Sequence, residues 1–295
     1  MLQQRAEPSR ASDGIQSRAA GQSAQSRAGG VEAELFFIVP TGEKPYAYQY
    51  TPPPGKPERS HSYQGRSVFI GDGRPLADRF SIDREGFALV PHATGVNNLY
   101  DETALRERYY PETEALLKRE TGAAKILIFD HTIRTAQATP RGVGLPRESV
   151  LRVHNDYTLK SGPQRVRDLL PAEEAEARLQ KRFAIVNVWR PIVGPLRHHP
   201  LAFADARTLA PEDVIATDLI YPDRIGETYS IAYNPAHRWF YFPEMARDEV
   251  ALIKTYDSDS ARARFSAHTA FADPNFPDPK PLRESIEIRA LVFFE

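Results

Sequence analysis

Val153-His154-Asn155-Asp156-Tyr157-Thr158 is the stretch on which the reading of this chain turns. In an extended strand, residues two apart project from the same face. His154 and Asp156 therefore offer one nitrogen and one oxygen donor to the same point. The preceding residues, Ser149 to His154, read as a strand. An H-x-D tripeptide is common by itself, and a metal held this way needs a second histidine from a distant strand. The fold around it must bring such a strand back.

Outward from this stretch, the C-terminal half supplies the strands. Phe183 to Trp189, Thr228 to Tyr233, Arg238 to Phe242, Val250 to Tyr256, Arg262 to His268 and Ser285 to Phe294 are rich in β-branched and aromatic residues. Gly, Pro, Asn and Asp separate them, and Tyr233-Asn234-Pro235-Ala236 reads as a hairpin connection. Upstream, Glu34 to Val39, Ser67 to Ile70, Phe87 to Val90 and Lys125 to Asp130 are further strand candidates. Two helices are expected. One runs from Asp101, as N-cap, to about Glu120, with a break near Pro111 and a stop at Gly122; the other runs from Pro171, at the first helical position, to Lys181. Many short strands following a helical part predict a mainly β sandwich or barrel with flanking helices. Residues 1–32 are rich in Ala, Ser, Gln, Arg and Gly and cannot offset their ordering entropy, so a disordered tail is expected there. Residues 33–295 read as one domain.

Composition narrows the function. Lys+Arg 38 against Asp+Glu 39 gives a net charge of -1, with the basic residues dispersed, so a nucleic-acid partner is not expected. With no cysteine in the chain, disulfides, thiolate zinc sites, iron–sulfur clusters and cysteine nucleophiles are excluded. Any metal must be held by His and carboxylates. No apolar run approaches the roughly 20 residues that span a bilayer, and no secretory h-region opens the chain. A cytoplasmic protein with no membrane partner is the expectation, and no feature specifies its oligomeric state.

The second histidine is found far downstream, in Arg264-Phe265-Ser266-Ala267-His268-Thr269, at the end of a predicted strand. Two histidines and one carboxylate leave three positions open on iron(II), enough for a bidentate 2-oxoacid and O2. Arg283-Glu284-Ser285 then opens the last strand. An arginine forks onto a carboxylate and a serine hydroxyl adds a donor, which suits the distal carboxylate of 2-oxoglutarate. Arg289 is the rival clamp, six residues on and on the same face by parity. Ser285 beside it favours Arg283. The order H-x-D, His, R-x-S resembles 2-oxoglutarate-dependent oxygenases of the double-stranded β-helix (jelly-roll, cupin-like) type.

A closer resemblance rests on Phe129-Asp130-His131-Thr132-Ile133-Arg134, His154 to Thr158, Asn187-Val188-Trp189-Arg190-Pro191, Tyr233 to Trp239 and Arg283 to Phe294. These stretches are similar to the family of the cephamycin 7α-methoxylation hydroxylase component, the fungal gibberellin desaturase and related hydroxylase/desaturases of natural-product clusters. The resemblance implies Fe(II)/2-oxoglutarate-dependent hydroxylation or desaturation of an unactivated carbon. It carries the metal and cosubstrate residues onto His154, Asp156, His268 and Arg283, with Ser285 following from the R-x-S comparison. Because Asp156 supplies a carboxylate, no position is vacated for halide and a halogenase is not expected. Two alternatives stay open: a zinc hydrolase using the same three ligands, and a metal-free ligand-binding barrel. His131 reads as structural, His198 and His199 as surface loop residues, and His237 as a capping or packing residue. Tyr157, Trp189, Tyr233 and Trp239 suit an apolar small-molecule substrate.

Overall fold

The computed structural model describes residues 29–136 and 149–295. Its first strands are β1 (Gly30–Ile38), β2 (Tyr46–Tyr48), β3 (Tyr63–Asp72) and β4 (Phe87–Pro91). A helical run follows, formed by α1 (Glu102–Ala104), a π-helical turn (Leu105–Tyr109) and α2 (Tyr110–Thr121), and leads into β5 (Lys125–Thr135) and β6 (His154–Asn155). Helices α3 (Ser161–Leu169) and α4 (Ala172–Leu179) precede β7 (Phe183–Pro191), β8 (Leu201–Ala204), β9 (Val214–Ile220) and β10 (Ile225–Ile231). The chain ends with β11 (Trp239–Tyr241), β12 (Glu249–Asp257), β13 (His268–Ala270) and β14 (Glu284–Phe293).

These strands form two sheets. The larger runs β1-β3-β11-β8-β13-β6-β10-β9-β2 and the smaller β4-β12-β7-β14-β5. Every residue of β7 is buried, as expected of a strand covered on both faces. Its even-numbered residues Ala184, Val186 and Val188 pack with Leu116 and Leu117 of α2, joined by Ile286, Ile288 and Ala290 of β14. Alternation then turns Trp189 toward Leu201 and Phe203 of the larger sheet, and Asn187 lies on the same side. On β14 the same parity turns Ser285, Glu287 and Arg289 inward. The arrangement is the mainly β jelly-roll with flanking helices expected from the sequence.

Several elements differ from expectation for identifiable reasons. The first helix is capped by Asp101, which accepts from the backbone N–H groups of Thr103 and Ala104, and is closed by left-handed Gly122. Its irregularity lies at Leu105–Tyr109 rather than at Pro111. Pro111 lacks the N–H for a backward helical bond, and the chain widens into a π-turn just before it. Pro171 is the N-cap of α4, one position earlier than expected. The expected strands at 149–154 and 262–268 shorten to β6 and to β13, so the two histidines among the three predicted metal ligands sit at the starts of very short strands. Tyr233 to Ala236 is not a hairpin, because β11 pairs with β3 and β8 instead of β10. There the Asn234 side chain accepts from the Ala236 N–H, turning the chain out of the sheet. Helix α3 and strands β2, β8 and β9 were not anticipated. Strand β1 already begins at Gly30, and the rest of the expected tail lies outside the described residues. Among the described residues, no helix is long and apolar enough to cross a membrane.

Candidate metal centre

Strands β6 and β13 are antiparallel neighbours, with His268 directly opposite His154. Paired residues share a face with Cβ atoms about 5 Å apart, and the two imidazole centroids are 4.5 Å apart. Asp156 follows two residues after His154, and its Oδ1 lies 3.6 Å from His154 Nε2. One ligand atom from each of His154, Asp156 and His268 lies within 4.8 Å of the others. The structure thus brings His268, distant in the sequence, to the neighbouring pair His154 and Asp156.

Their protonation suits a divalent cation. His154 Nδ1 is 2.8 Å from the Arg152 carbonyl, and His268 Nδ1 is 3.2 Å from the Ser266 carbonyl. A carbonyl only accepts, so in each pair Nδ1 carries the proton and Nε2 presents its lone pair. Burial, reinforced by His268, pushes His154 down to about 4 and keeps it neutral near pH 7. Burial alone would raise the Asp156 carboxyl, but the Arg289 guanidinium foremost, then the two histidines and Asn187, hold it well below the usual carboxylate range. Asp156 Oδ2 accepts from Asn187 Nδ2 at 2.8 Å and from Arg289 Nε at 3.2 Å. With Oδ2 engaged twice, Oδ1 is the oxygen left to face the histidines. Two imidazole nitrogens and one ionised oxygen fit the facial triad of a non-haem iron(II).

Arg289 spends every nitrogen on this scaffold. Besides Asp156, it donates from Nη1 to Asp130 at 3.1 Å and to Thr132 at 2.9 Å, and from Nη2 to Glu287 at 2.7 Å. Glu287 also accepts from Asn187 at 3.0 Å. Arg283 is placed quite differently. It is 1% exposed and lines one cavity with His154, His268, Trp189 and Leu201. Nε donates to Ser285 Oγ at 3.1 Å and Nη1 to the His199 carbonyl at 2.8 Å, while the Trp189 ring lies 5.0 Å from the guanidinium carbon. Among the described residues no carboxylate forms an ion pair with it. Burial first, then repulsion from Arg134, pushes Arg283 down to about 9, with Glu287 opposing.

Other histidines and aromatics fall as follows. His131 Nδ1 meets the Tyr110 hydroxyl at 2.7 Å and its Nε2 lies 3.3 Å from Glu102, under the helical run and away from the cavity. His237 binds Asp213 at 2.8 Å and packs near Phe37 and Trp239. His198 and His199 are half-buried rather than on the surface, with ring centroids 4.0 Å apart, because the loop turns inward to give its carbonyl to Arg283. Of the four aromatics, Trp189 reaches the cavity. Trp239 is in the core, Tyr157 packs beside α3 and α4, and Tyr233 is exposed. The supporting role of Asn187 was missed. A lone Asn in the apolar run Phe183–Pro191, and Glu287 with Arg289 in Glu284–Phe293, were the available signals, since a buried polar group needs a partner.

Comparison with known proteins agrees with this geometry. Residues 35–293 match the family described as an oxidoreductase/YMDC permease-like domain. The Fe(II)/2-oxoglutarate-dependent dioxygenase nvfI of Aspergillus novofumigatus is 33% identical over 272 residues, covering 89% of this chain and 96% of that protein. The alpha-ketoglutarate-dependent dioxygenase phiK of a fungal species is 32% identical, covering 92% and 99%. The hydroxylase/desaturase efuI of Hormonema carpetanum is 34% identical, covering 79% and 85%. Among solved structures, the iron and alpha-ketoglutarate-dependent endoperoxidase NvfI superposes with a TM-score of 0.82 at 32% identity, covering 90% of this chain and 98% of that one. These relatives favour neither the zinc hydrolase nor the non-catalytic barrel. Sequence match, shared architecture and donor set converge: this chain belongs to the Fe(II)/2-oxoglutarate-dependent dioxygenase family, whose chemistry uses iron(II), 2-oxoglutarate and O2.

Proposed function

We propose that His154, Asp156 and His268 hold the iron, that Arg283 and Ser285 grip the distal carboxylate of 2-oxoglutarate, and that the enzyme hydroxylates or desaturates an unactivated C–H bond of a small, natural-product-like molecule. The observation that carries this reading is Arg283: a buried cation with no carboxylate paired to it among the described residues, in the same cavity as the two histidines. A buried unpaired charge is costly, and a bound dicarboxylate supplies the missing anion. Arg289, with each of its three nitrogens engaged, takes a positioning role in this reading, holding Asp156 through Oδ2.

Iron(II) with 2-oxoglutarate and O2 supplies an oxidant able to remove hydrogen from carbon. The chain's own contribution is placement. Nδ1–H bonds to Arg152 and Ser266 carbonyls fix the imidazoles, Asn187 and Arg289 fix the carboxylate, and Trp189 with Leu201 walls the cosubstrate side against water. The relatives named hydroxylase/desaturase support the choice of reaction, and the finer likeness to the cephamycin and gibberellin enzymes is part of this proposal. So are a single catalytic domain over residues 33–295, to which strand β1 adds Gly30 to Glu32, and a cytoplasmic location. A screen of small oxygenated natural products for stimulated succinate release tests the reading. One substrate that yields an alcohol or alkene with matched succinate supports it; succinate release with oxygen inserted between two carbons as an endoperoxide would replace it.

A further inference from the structure

The register of the larger sheet sets one row of residues through the metal ligands. Ile215 on β9 lies opposite Ser230 on β10, Ser230 opposite His154, His154 opposite His268, and His268 opposite Phe203 on β8. Residues paired this way share a face, and adjacent strands are about 4.8 Å apart, so Ile215 stands about 10 Å from His154 along the sheet. The two ends of the row differ. At one end Phe203 stacks on Phe87 at 5.2 Å and meets Phe242 at 5.8 Å, and all three are fully buried. That end is closed. Beyond Ser230 at the other end, Ile215 lines a cleft of about 360 Å³ with Ile38, Val39, Pro45, Ala216 and His61. The size falls within the roughly 300–1,000 Å³ of small-molecule sites.

Between this cleft and His154 stands a hydrogen-bonded string of polar side chains. His61 Nε2 is 3.1 Å from the Tyr63 hydroxyl, which is 3.4 Å from Ser230 Oγ, which is 2.9 Å from Thr217 Oγ1. His61, Ser230 and Thr217 are each buried. Arg152, two residues before His154, holds its guanidinium carbon 5.4 Å from the centre of the Tyr63 ring. Among the described residues it forms no ion pair with a carboxylate. Apolar walls with a few convergent donors are the composition of a site that orients an oxygenated organic molecule.

We propose that this cleft admits the substrate along the β9–β10 side, opposite the Arg283 side used by the cosubstrate, and that Tyr63, Ser230 and Arg152 hold one of its oxygens. The substrate class is then a largely apolar small molecule with a carbonyl or carboxylate oxygen a few bonds from the oxidised carbon. This inference rests on the metal centre proposed above. The test loads the protein with manganese(II) and 2-oxoglutarate and titrates trifluoromethyl-tagged bicyclic ketones, lactones and carboxylic acids, read by fluorine NMR. Saturable binding is expected, with a bound line broadened by manganese and sharp with magnesium. Ile215→Trp, which fills the cleft, should abolish it, and Tyr63→Phe should weaken it about three- to tenfold. Thermal melts and the iron–2-oxoglutarate absorption band on the same variants report whether fold and metal centre survive. Binding without manganese broadening, broadening untouched by Ile215→Trp, or no binding by any probe where that band forms would overturn the proposal. Failure of the band in the unaltered protein would remove the metal-centre reading, and this inference with it.

Discussion

Replacing Arg283 and Arg289 by alanine, one at a time, should damage the protein in two different ways. Arg283 lines the cavity as a buried cation that no carboxylate pairs with among the described residues, and burial already holds it down at about 9. Losing it forfeits one bond to Ser285, one to the His199 carbonyl and the face of Trp189. It also removes the charge-assisted fork for 2-oxoglutarate, worth roughly 2–5 kcal/mol when desolvated. At about 1.4 kcal/mol per tenfold, the KM for 2-oxoglutarate should rise about thirtyfold or more, with iron affinity little changed. Arg283→Lys keeps the charge but loses the fork, so its KM should fall between the two. Arg289→Ala leaves Asp130, Asp156 and Glu287 clustered without their shared cation. Breaking a buried ion pair on one side costs about 3–5 kcal/mol, or roughly 5–8 °C in Tm at this chain length. Steady-state kinetics, iron titration and thermal melts on both variants separate the effects. If Arg289→Ala raised the 2-oxoglutarate KM steeply with an unchanged melt, while Arg283→Ala left that KM alone, the assignment of the two arginines would be refuted.

Three further outcomes follow from the same contacts. Asn187→Ala removes one of the two donors on Asp156 Oδ2, so iron affinity should fall about 10–100-fold; an iron titration matching the unaltered protein would show that Arg289 alone suffices. His154 and His199 are both pushed down to about 4, by burial first and by neighbouring cationic or histidine groups second. The unfolded chain takes up these protons from about pH 6.5, so the metal-free protein should lose stability as pH falls from about 6.5 to 4, and melts that stay level across that window would contradict it. Asp156 adds to the loss once pH falls through the ordinary carboxylate range, where the unfolded chain takes up the proton, and that loss continues down to its own depressed pKa. Asp156→Gly opens a coordination position, so residual turnover should accept chloride or azide, read as halogenated or azidated product; such transfer by the unaltered enzyme would contradict the placement of Asp156 at that position.

The sequence made the candidate ligands legible because the geometry of the first two is local. His154 and Asp156 share a face by the two-residue period of a strand, whatever sheet holds them. His268 was found by its place at the end of a predicted strand, and its pairing opposite His154 gives that order a structural cause. In the sequence only the neighbouring Ser285 favours Arg283 over Arg289, since parity puts both on the inner face. What separates them is which acidic side chains neighbouring strands present: Asp130 from β5 lies opposite Arg289 in register, whereas Ser285 lies opposite Arg134 and Pro191. Strand boundaries at 149–154 and 262–268 were overdrawn for a related reason. Those residues have strand-like composition, but Val153 gives its N–H to Phe36 and Ser266 gives its N–H to Lys254, pulling the chain out of a regular ladder. Short β8 escaped notice because its pairing with β11 and β13, not its composition, makes it a strand.

Anaerobic titration of iron(II) and then 2-oxoglutarate into the metal-free protein tests the central claim most directly. Direct chelation of the oxoacid by iron held at His154, Asp156 and His268 should give a weak visible charge-transfer band that saturates at one iron per chain. His154→Ala, Asp156→Ala and His268→Ala should each lose the band or need far more iron to form it, with folding checked by melts. An intact band of unchanged affinity in folded His268→Ala would contradict the account, because the ligand that the β6–β13 pairing brings to the metal would then be dispensable.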